Sequence, residues 1–238
     1  DCAPKAVLKF TTESINISDE IPVIDLRNSE VWEGVSEDPE HVNTPDDLIY
    51  CIYTSGTTGQ PKGVMQQNKT MVNLVLDEYR TIGEEAFSRT LFSTNYGFDV
   101  SVQEYFSTLL CGGMGYIITL EEKQDTKKCR EIISANDIRT IFATSSYFEM
   151  LTNNDTELLT KNIRNVILAG ESFKVSNKLL ETKEASHIRL HNHYGPTETH
   201  VVTEKYATVG ELRKEKNLDL GKPIANTQIY MMNGDNLC

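Results

Sequence analysis

Short apolar runs alternate with amphipathic stretches and with turn clusters rich in Gly, Pro, Asn and Asp along the chain. Apolar runs bounded by turn residues are strand signals, and apolar positions recurring every three to four residues are helix signals. The pattern predicts strands at residues 6–10, 22–26, 48–53, 90–93, 116–120, 140–143, 165–169, 189–193 and 228–232. Helices are expected at about 69–84, 101–110, 125–135, 147–153 and 175–183. Strand–helix–strand alternation at this spacing predicts an α/β fold, with mostly parallel β-sheets flanked by helices. In such sheets ligands bind beyond the carboxyl ends of the strands. Residues 28–47 are acidic, carry Pro39 and Pro45, and read as an exposed connection into the strand at Leu48.

The predicted helix at 101–110 carries Val102, Tyr105, Phe106, Leu109 and Leu110 as one apolar stripe. Ser101 and Glu104 have the spacing of a capping box, which places Val100 and Tyr105 for a hydrophobic staple. With Ser101 as the cap, Asp99 is a carboxylate free to meet a ligand cation at a strand's carboxyl end. The alternative makes Asp99 itself the cap.

Residues 53–63 hold the most chemistry per residue. Thr54, Ser55, Thr57 and Thr58 supply hydroxyls, Gly56, Gly59 and Gly63 let backbone N–H groups approach an anion, and Lys62 adds a mobile charge. Successive N–H groups in such a loop form a concave anion nest. The helix-opening phosphate loop Gly-x-x-x-x-Gly-Lys-Ser/Thr does not fit, because Gln60 and Pro61 separate Gly59 from Lys62. Residues 64–67 read as a second strand, so the loop joins two strands and should be mobile until filled. A ligand-free turn remains the alternative.

Composition narrows the class. Net charge is −12, which disfavours nucleic acid as a partner. No stretch approaches the length of a membrane span, and no signal-peptide pattern precedes the first strand. The five cysteines show no zinc or redox spacing, so a reducing cytoplasm is the simplest expectation. Residues 231–235 look like a strand entering a turn at the chain's end, the expectation for a piece of a longer polypeptide.

Two further segments accompany the 53–63 loop, in order: Phe98-Asp99-Val100-Ser101 and Asn192-His193-Tyr194-Gly195-Pro196-Thr197-Glu198, with Ala169-Gly170-Glu171-Ser172 between them. Together they resemble the core motifs of adenylate-forming enzymes, specifically the amino-acid-activating adenylation domains of nonribosomal peptide synthetases. The resemblance spans nearly the whole chain and implies the central part of that family's large domain. It places the start of that domain, the ribose-binding aspartate and the small C-terminal domain with its lysine outside residues 1–238. Asn68 stands where relatives usually carry histidine.

The resemblance implies ATP and Mg²⁺ as cofactors, an amino acid as substrate, and as partners a peptidyl carrier protein with a phosphopantetheine arm and the rest of the parent synthetase. It implies that Thr54, Ser55, Gly56, Thr57, Thr58, Gly59 and Lys62 hold the β- and γ-phosphates and that Thr197 contacts the α-phosphate. Glu198 binds Mg²⁺ on this reading, with Thr197, Glu198 and Lys62 the catalytic set. Gly170 and Glu171 line the adenine slot, Tyr194 lies against the base, Asn192 hydrogen-bonds its edge, and Gly195 also belongs to the nucleotide-binding set. Asp99 pairs with the substrate α-ammonium. The selectivity pocket falls on Asp99, Val100, Gln103, Phe142, Ile167, Ala169, His193, Val201 and Val202. This set resembles that of proline-activating domains, so L-proline is the expected substrate, with a small branched aliphatic amino acid next. An acyl- or aryl-CoA ligase and a non-catalytic nucleotide-binding piece are the competing classes.

Overall fold

The computed structural model describes residues 4–34, 37–55, 59–153, 156, 159, 161–215, 217–234 and 236–237. The chain divides into two compact units, residues 1–43 and 44–238. In the first, β1 (Val7–Lys9) and β2 (Val23–Asp25) pair in parallel. Of residues 28–47, those described are exposed except the half-buried Ser29.

The second unit opens with an antiparallel pair, β3 (Leu48–Thr54) and β4 (Lys62–Gln67), which brackets the phosphate-type loop. Its main sheet contains β5 (Arg89–Phe92), β6 (Met114–Ile117), β7 (Thr140–Ala143), β8 (Asn165–Leu168), β9 (Arg189–Tyr194), β10 (Thr203–Thr208) and β11 (Lys222–Pro223). The strand order is β11-β10-β9-β8-β7-β5-β6. Strands β5 to β9 run parallel, and β10 and β11 are antiparallel to their neighbours. All four residues of β8 are buried, as expected of a central strand covered on both faces.

Alternation along the strands sends side chains to two different cores. Ile141, Val166, Leu168 and Leu190 join one cluster with Ile132 and Ile133 of α4 (Thr126–Ala135) and Phe148 and Leu151 of α5 (Ser145–Asn153). Leu179 of α6 (Asn177–Glu181) and Leu212 of α7 (Val209–Glu215) belong to the same cluster. Phe142 and Ile167 point the other way, into a cluster with Ile82, Phe87 and Val100. Beside that lies a third core, where Met71, Leu74 and Val75 of α1 (Asn68–Glu78) meet Val201, Ile224 and the flank of α2 (Asp99–Leu109). The α/β expectation therefore holds.

Several elements differ from the sequence pattern. Helix α1 ends at Glu78 and is followed by a π-type turn at Tyr79–Gly83, closed by Gly83 at φ 99°. Helix α2 begins at Asp99 with Phe98 as its cap, so the capping box at Ser101 and Glu104 does not form. Ser101 Oγ instead donates back to the Phe98 carbonyl at 2.7 Å. Glu104 is drawn to the N–H groups of Ser93 and Thr94, at 3.2 and 3.3 Å, just past the end of β5. Tyr105 packs on Phe92 with ring centres 4.7 Å apart, not on Val100 as a staple. A capping box does occur at Thr119 and Glu122, opening the short helix α3 (Leu120–Gln124) where a strand end was expected. Strand β10 was not foreseen. The strand expected at 228–232 reduces to a short antiparallel pair, β12 (Met232–Asn233) with β13 (Asn236–Leu237).

Candidate active site

The carboxyl ends of β5, β7, β8 and β9 open onto two adjoining cavities. The larger, about 530 Å³, is lined by Asp99 and Val100 at the start of α2 and by Ala169, Gly170 and Glu171 after β8. Its far wall is Asn192, His193, Tyr194, Gly195, Pro196, Thr197, His200 and Val201. The smaller, about 330 Å³, shares Asp99, Val100, Ala169, Gly170 and Glu171 and adds Phe142, Ala143, Thr144 and Tyr147. Asp99 thus stands between them, half-buried, at the amino end of a helix whose dipole favours its charge. Its Oδ1 accepts the Val100 N–H at 2.8 Å.

The loop from Tyr194 to Thr203 is held by three devices. Gly195 approaches the His200 carbonyl so closely that a Cβ would sit 1.7 Å from that oxygen. His200 adopts φ 59°, and its ring bridges two backbones, 3.1 Å from the Asp99 carbonyl and accepting the Val201 N–H at 2.8 Å on Nδ1. One donor and one acceptor role define a neutral ring protonated at Nε2, and burial pushes its pKa down. Gln66, buried on β4, donates from Nε2 to the carbonyls of Thr197 at 3.2 Å and Glu198 at 2.7 Å. That amide joins the phosphate-type hairpin to the Thr197–Glu198 segment. Neither Gln66 nor His200 was assigned a role from sequence; a histidine and a glutamine isolated among ordinary residues carry no spacing signal.

In the hairpin, Thr54 and Lys62 are register partners flanking the loop, and Gly59 has φ 79°. Gly56, Thr57 and Thr58 lie outside the described residues. Lys62 is exposed, with no ion pair among the described residues. Glu171 turns its carboxylate to the first turn of α5, accepting from Ser146 N at 2.9 Å and Ser146 Oγ at 2.8 Å, which holds its pKa below the usual carboxylate range. Asn192 spends its amide N–H groups on the carbonyls of Leu218 and Asp219, at 3.2 and 2.9 Å, so only its Oδ1 remains for a ligand donor.

Of the nine expected selectivity residues, Asp99, Val100, Ala169, His193 and Val201 line the larger cavity, and Phe142 lines the smaller. Three do not line either. Gln103 is fully buried and turned onto α1, where its Nε2 donates to Glu78 Oε1 at 2.7 Å and lies 3.1 Å from His193 Nδ1. Glu78 also accepts from Ser107 Oγ. Ile167 is enclosed in the apolar cluster around Phe87. Val202 lines a separate depression with Lys69, Asn73 and Ile224.

Residues 2–238 match the family described as AMP-binding enzyme. The chain belongs to that family. Within the AMP-binding enzymes it is similar to gramicidin S synthase 2 of Brevibacillus brevis, 34% identical over 226 residues, covering 94% of this chain and 5% of that protein. It is 37% identical over 211 residues to tyrocidine synthase 2 of Brevibacillus parabrevis, covering 88% of this chain and 6% of that protein. The chain thus spans about a twentieth of these synthases. Among solved structures, a four-domain nonribosomal peptide synthetase bound to AMP and glycine matches with TM-score 0.71 and 26% identity, over 97% of this chain and 16% of that one. The fold is also that of the nonribosomal peptide synthetase FmoA3 in an AMPPNP-bound form, at TM-score 0.78 and 23% identity, over 93% of this chain and 24% of that one. The adenylate-forming resemblance read from the motifs agrees with all of these. No helix among the described residues is long and apolar enough to cross a membrane.

Proposed function

We propose that this chain holds the ATP and amino-acid sites of an adenylation enzyme that activates L-proline and passes it to a carrier-protein thiol. The observation carrying this reading is the position of Asp99, a carboxylate on a cavity wall facing the Tyr194–Thr197 segment in an AMP-binding enzyme. The four-domain neighbour binds AMP and glycine, a precedent for both ligands in one such fold.

The substrate's α-ammonium pairs with Asp99, which orients its carboxylate toward the α-phosphate. A carboxylate oxygen forms the new P–O bond as the bond to the pyrophosphate oxygen breaks, giving aminoacyl-adenylate and pyrophosphate. Joining two anions demands neutralisation and alignment. Lys62 and the Thr54–Gly59 loop serve the β- and γ-phosphates and Thr197 the α-phosphate. The Glu198 carboxylate is exposed, with no hydrogen-bond or ion-pair partner among the described residues, and so fits Mg²⁺, which is bound by one or two carboxylates plus substrate phosphates. When bound, that ion neutralises phosphate charge. Val100, Phe142, Ala169 and Val201 present apolar surface beside Asp99, in keeping with a compact, uncharged side chain.

Amino-acid-dependent pyrophosphate exchange on the intact protein carrying this chain tests the reading. Proline should drive the fastest exchange, and Asp99→Ala should lower amino-acid kcat/KM by over about a hundredfold, the cost of leaving one partner of an ion pair unmatched. Exchange driven by leucine or valine but not proline refutes the substrate assignment. Indifference to Asp99→Ala refutes the ammonium contact and favours an acyl- or aryl-CoA ligase.

A further inference from the structure

A second group of chemistry-bearing side chains lies behind the cavity wall. His191 and His193 are two residues apart on β9 and so share one face of the sheet. Glu204 is the register partner of His193 on β10. His191 Nδ1 lies 2.9 Å and His193 Nε2 3.8 Å from Glu204 Oε1, with both imidazoles and most of the carboxylate buried. The three candidate ligand atoms fall within 4.8 Å of one another. Tetrahedral zinc, with bonds of about 2.0–2.2 Å to imidazole and carboxylate, spaces its ligand atoms by roughly 3.3 Å, so small rotations bring all three into range.

The hydrogen bonding leaves a position that a cation fills. His193 Nε2 is buried with no hydrogen-bond partner, and so is Gln103 Oε1; with the Gln103 amide turned over, that oxygen accepts from His193 Nδ1–H, and Nε2 keeps its lone pair for a cation. His191 faces an acceptor on each side, Asn165 Oδ1 at 3.3 Å from Nε2 and the Glu204 carboxylate at Nδ1. A neutral imidazole carries a single N–H and satisfies only one of them. With a metal ion at Nδ1, the ring keeps its proton at Nε2 and donates it to Asn165, the arrangement usual for ligating histidines. Glu204 also lines a cavity of about 430 Å³ with Asp77, Asp219, Lys205 and Lys222, which gives a cation a polar route to the site.

We propose that His191, His193 and Glu204 bind one divalent transition-metal ion of the zinc type, with Asn165 orienting His191. Two imidazoles and one carboxylate suit zinc over the oxygen-seeking Mg²⁺. The site takes no part in the phosphate chemistry. Because His193 also lines the larger cavity, an occupied site fixes that ring and stiffens the wall.

The test uses the intact protein carrying this chain, stripped with a chelator and titrated separately with Zn²⁺ and Co²⁺. The unaltered protein should retain one more equivalent of Zn²⁺ after dialysis than His191→Ala or Glu204→Gln. Asn165→Ala should weaken binding by about 10–100-fold, and His187→Ala, on the exposed surface, should leave it unchanged. Equal zinc retention by the unaltered protein and both ligand variants overturns the proposal. Should the variants fail to fold, the Co²⁺ spectrum of the unaltered protein decides. An intense visible band of four- or five-coordinate cobalt, displaced by Zn²⁺, supports the site; only the weak spectrum of six-coordinate cobalt overturns it.

Discussion

Gly195 and His200 show how much of the site rests on single backbone atoms. A methyl group at Gly195 would overlap the His200 carbonyl, so Gly195→Ala should cost about 1–3 kcal/mol of stability by forcing the loop apart. It should also weaken AMP binding, which calorimetry can measure; unchanged affinity would show that the loop absorbs the shift. His200→Phe keeps the ring but abandons the Asp99 carbonyl and the Val201 N–H. Each unpaired buried group costs about 1–3 kcal/mol. Since the lost contact positions Asp99, KM for the amino acid should rise more than KM for ATP, and steady-state kinetics with each substrate varied in turn would reveal equal changes if that is wrong. Neither contact was readable from the sequence, which marks Gly195 only as a member of the Asn192–Glu198 motif and shows His200 as an isolated histidine.

Glu78 of α1 and Glu104 of α2 are buried carboxyls, the second read from sequence as a capping residue. Burial pushes Glu104 up to about 7 despite its bonds to Ser93 and Thr94, and Glu78 likewise up to about 7. A carboxyl raised above its ordinary value of 4.5 binds its proton more tightly in the folded chain. Its contribution is full below about 4.5 and lost as pH rises through about 7. His200, whose pKa is lowered, acts oppositely, since its stability is lost as pH falls below its ordinary 6.5. Above 6.5 the carboxyls dominate, so denaturant midpoints should fall between about pH 6.5 and 8. A flat or rising profile there would refute the assignment. Element legibility followed the same divide between local and distant causes. Strands β3, β5, β7 and β8 were readable because each carries a continuous apolar run. Strand β10 was missed because Thr-Glu-Lys-Tyr-Ala-Thr lacks such a run and becomes a strand only by pairing with β9. The Gln103–His193 contact joins residues 90 positions apart, beyond any local pattern.

At the scale of the molecule, the sheet separates stability from function. Phe148 is buried in the core on the face away from Phe142 and Ile167. Phe148→Ala should cost about 3–5 kcal/mol, visible as a lower Tm, with substrate KM values unchanged at temperatures where the protein stays folded. A shift in KM would mean that the two faces are coupled. The general α/β architecture and the motif order were legible because they lie on single strands and loops. The partition of the selectivity residues between cavity wall and core was not, because it depends on which face each strand residue takes. The reversal between β9 and β10 adds a constraint of another kind. Tyr194 and Thr203 are paired at the mouth of the loop, so its length is set by the sheet and not by what it binds. Adding or deleting one residue there would slide β10 by one position and turn Glu204 and Thr203 to opposite faces. Apart from Gly195, Thr197, Glu198 and His200, this segment is therefore free to vary by substitution but not by insertion, and changes in what the site accepts have to come through side chains alone.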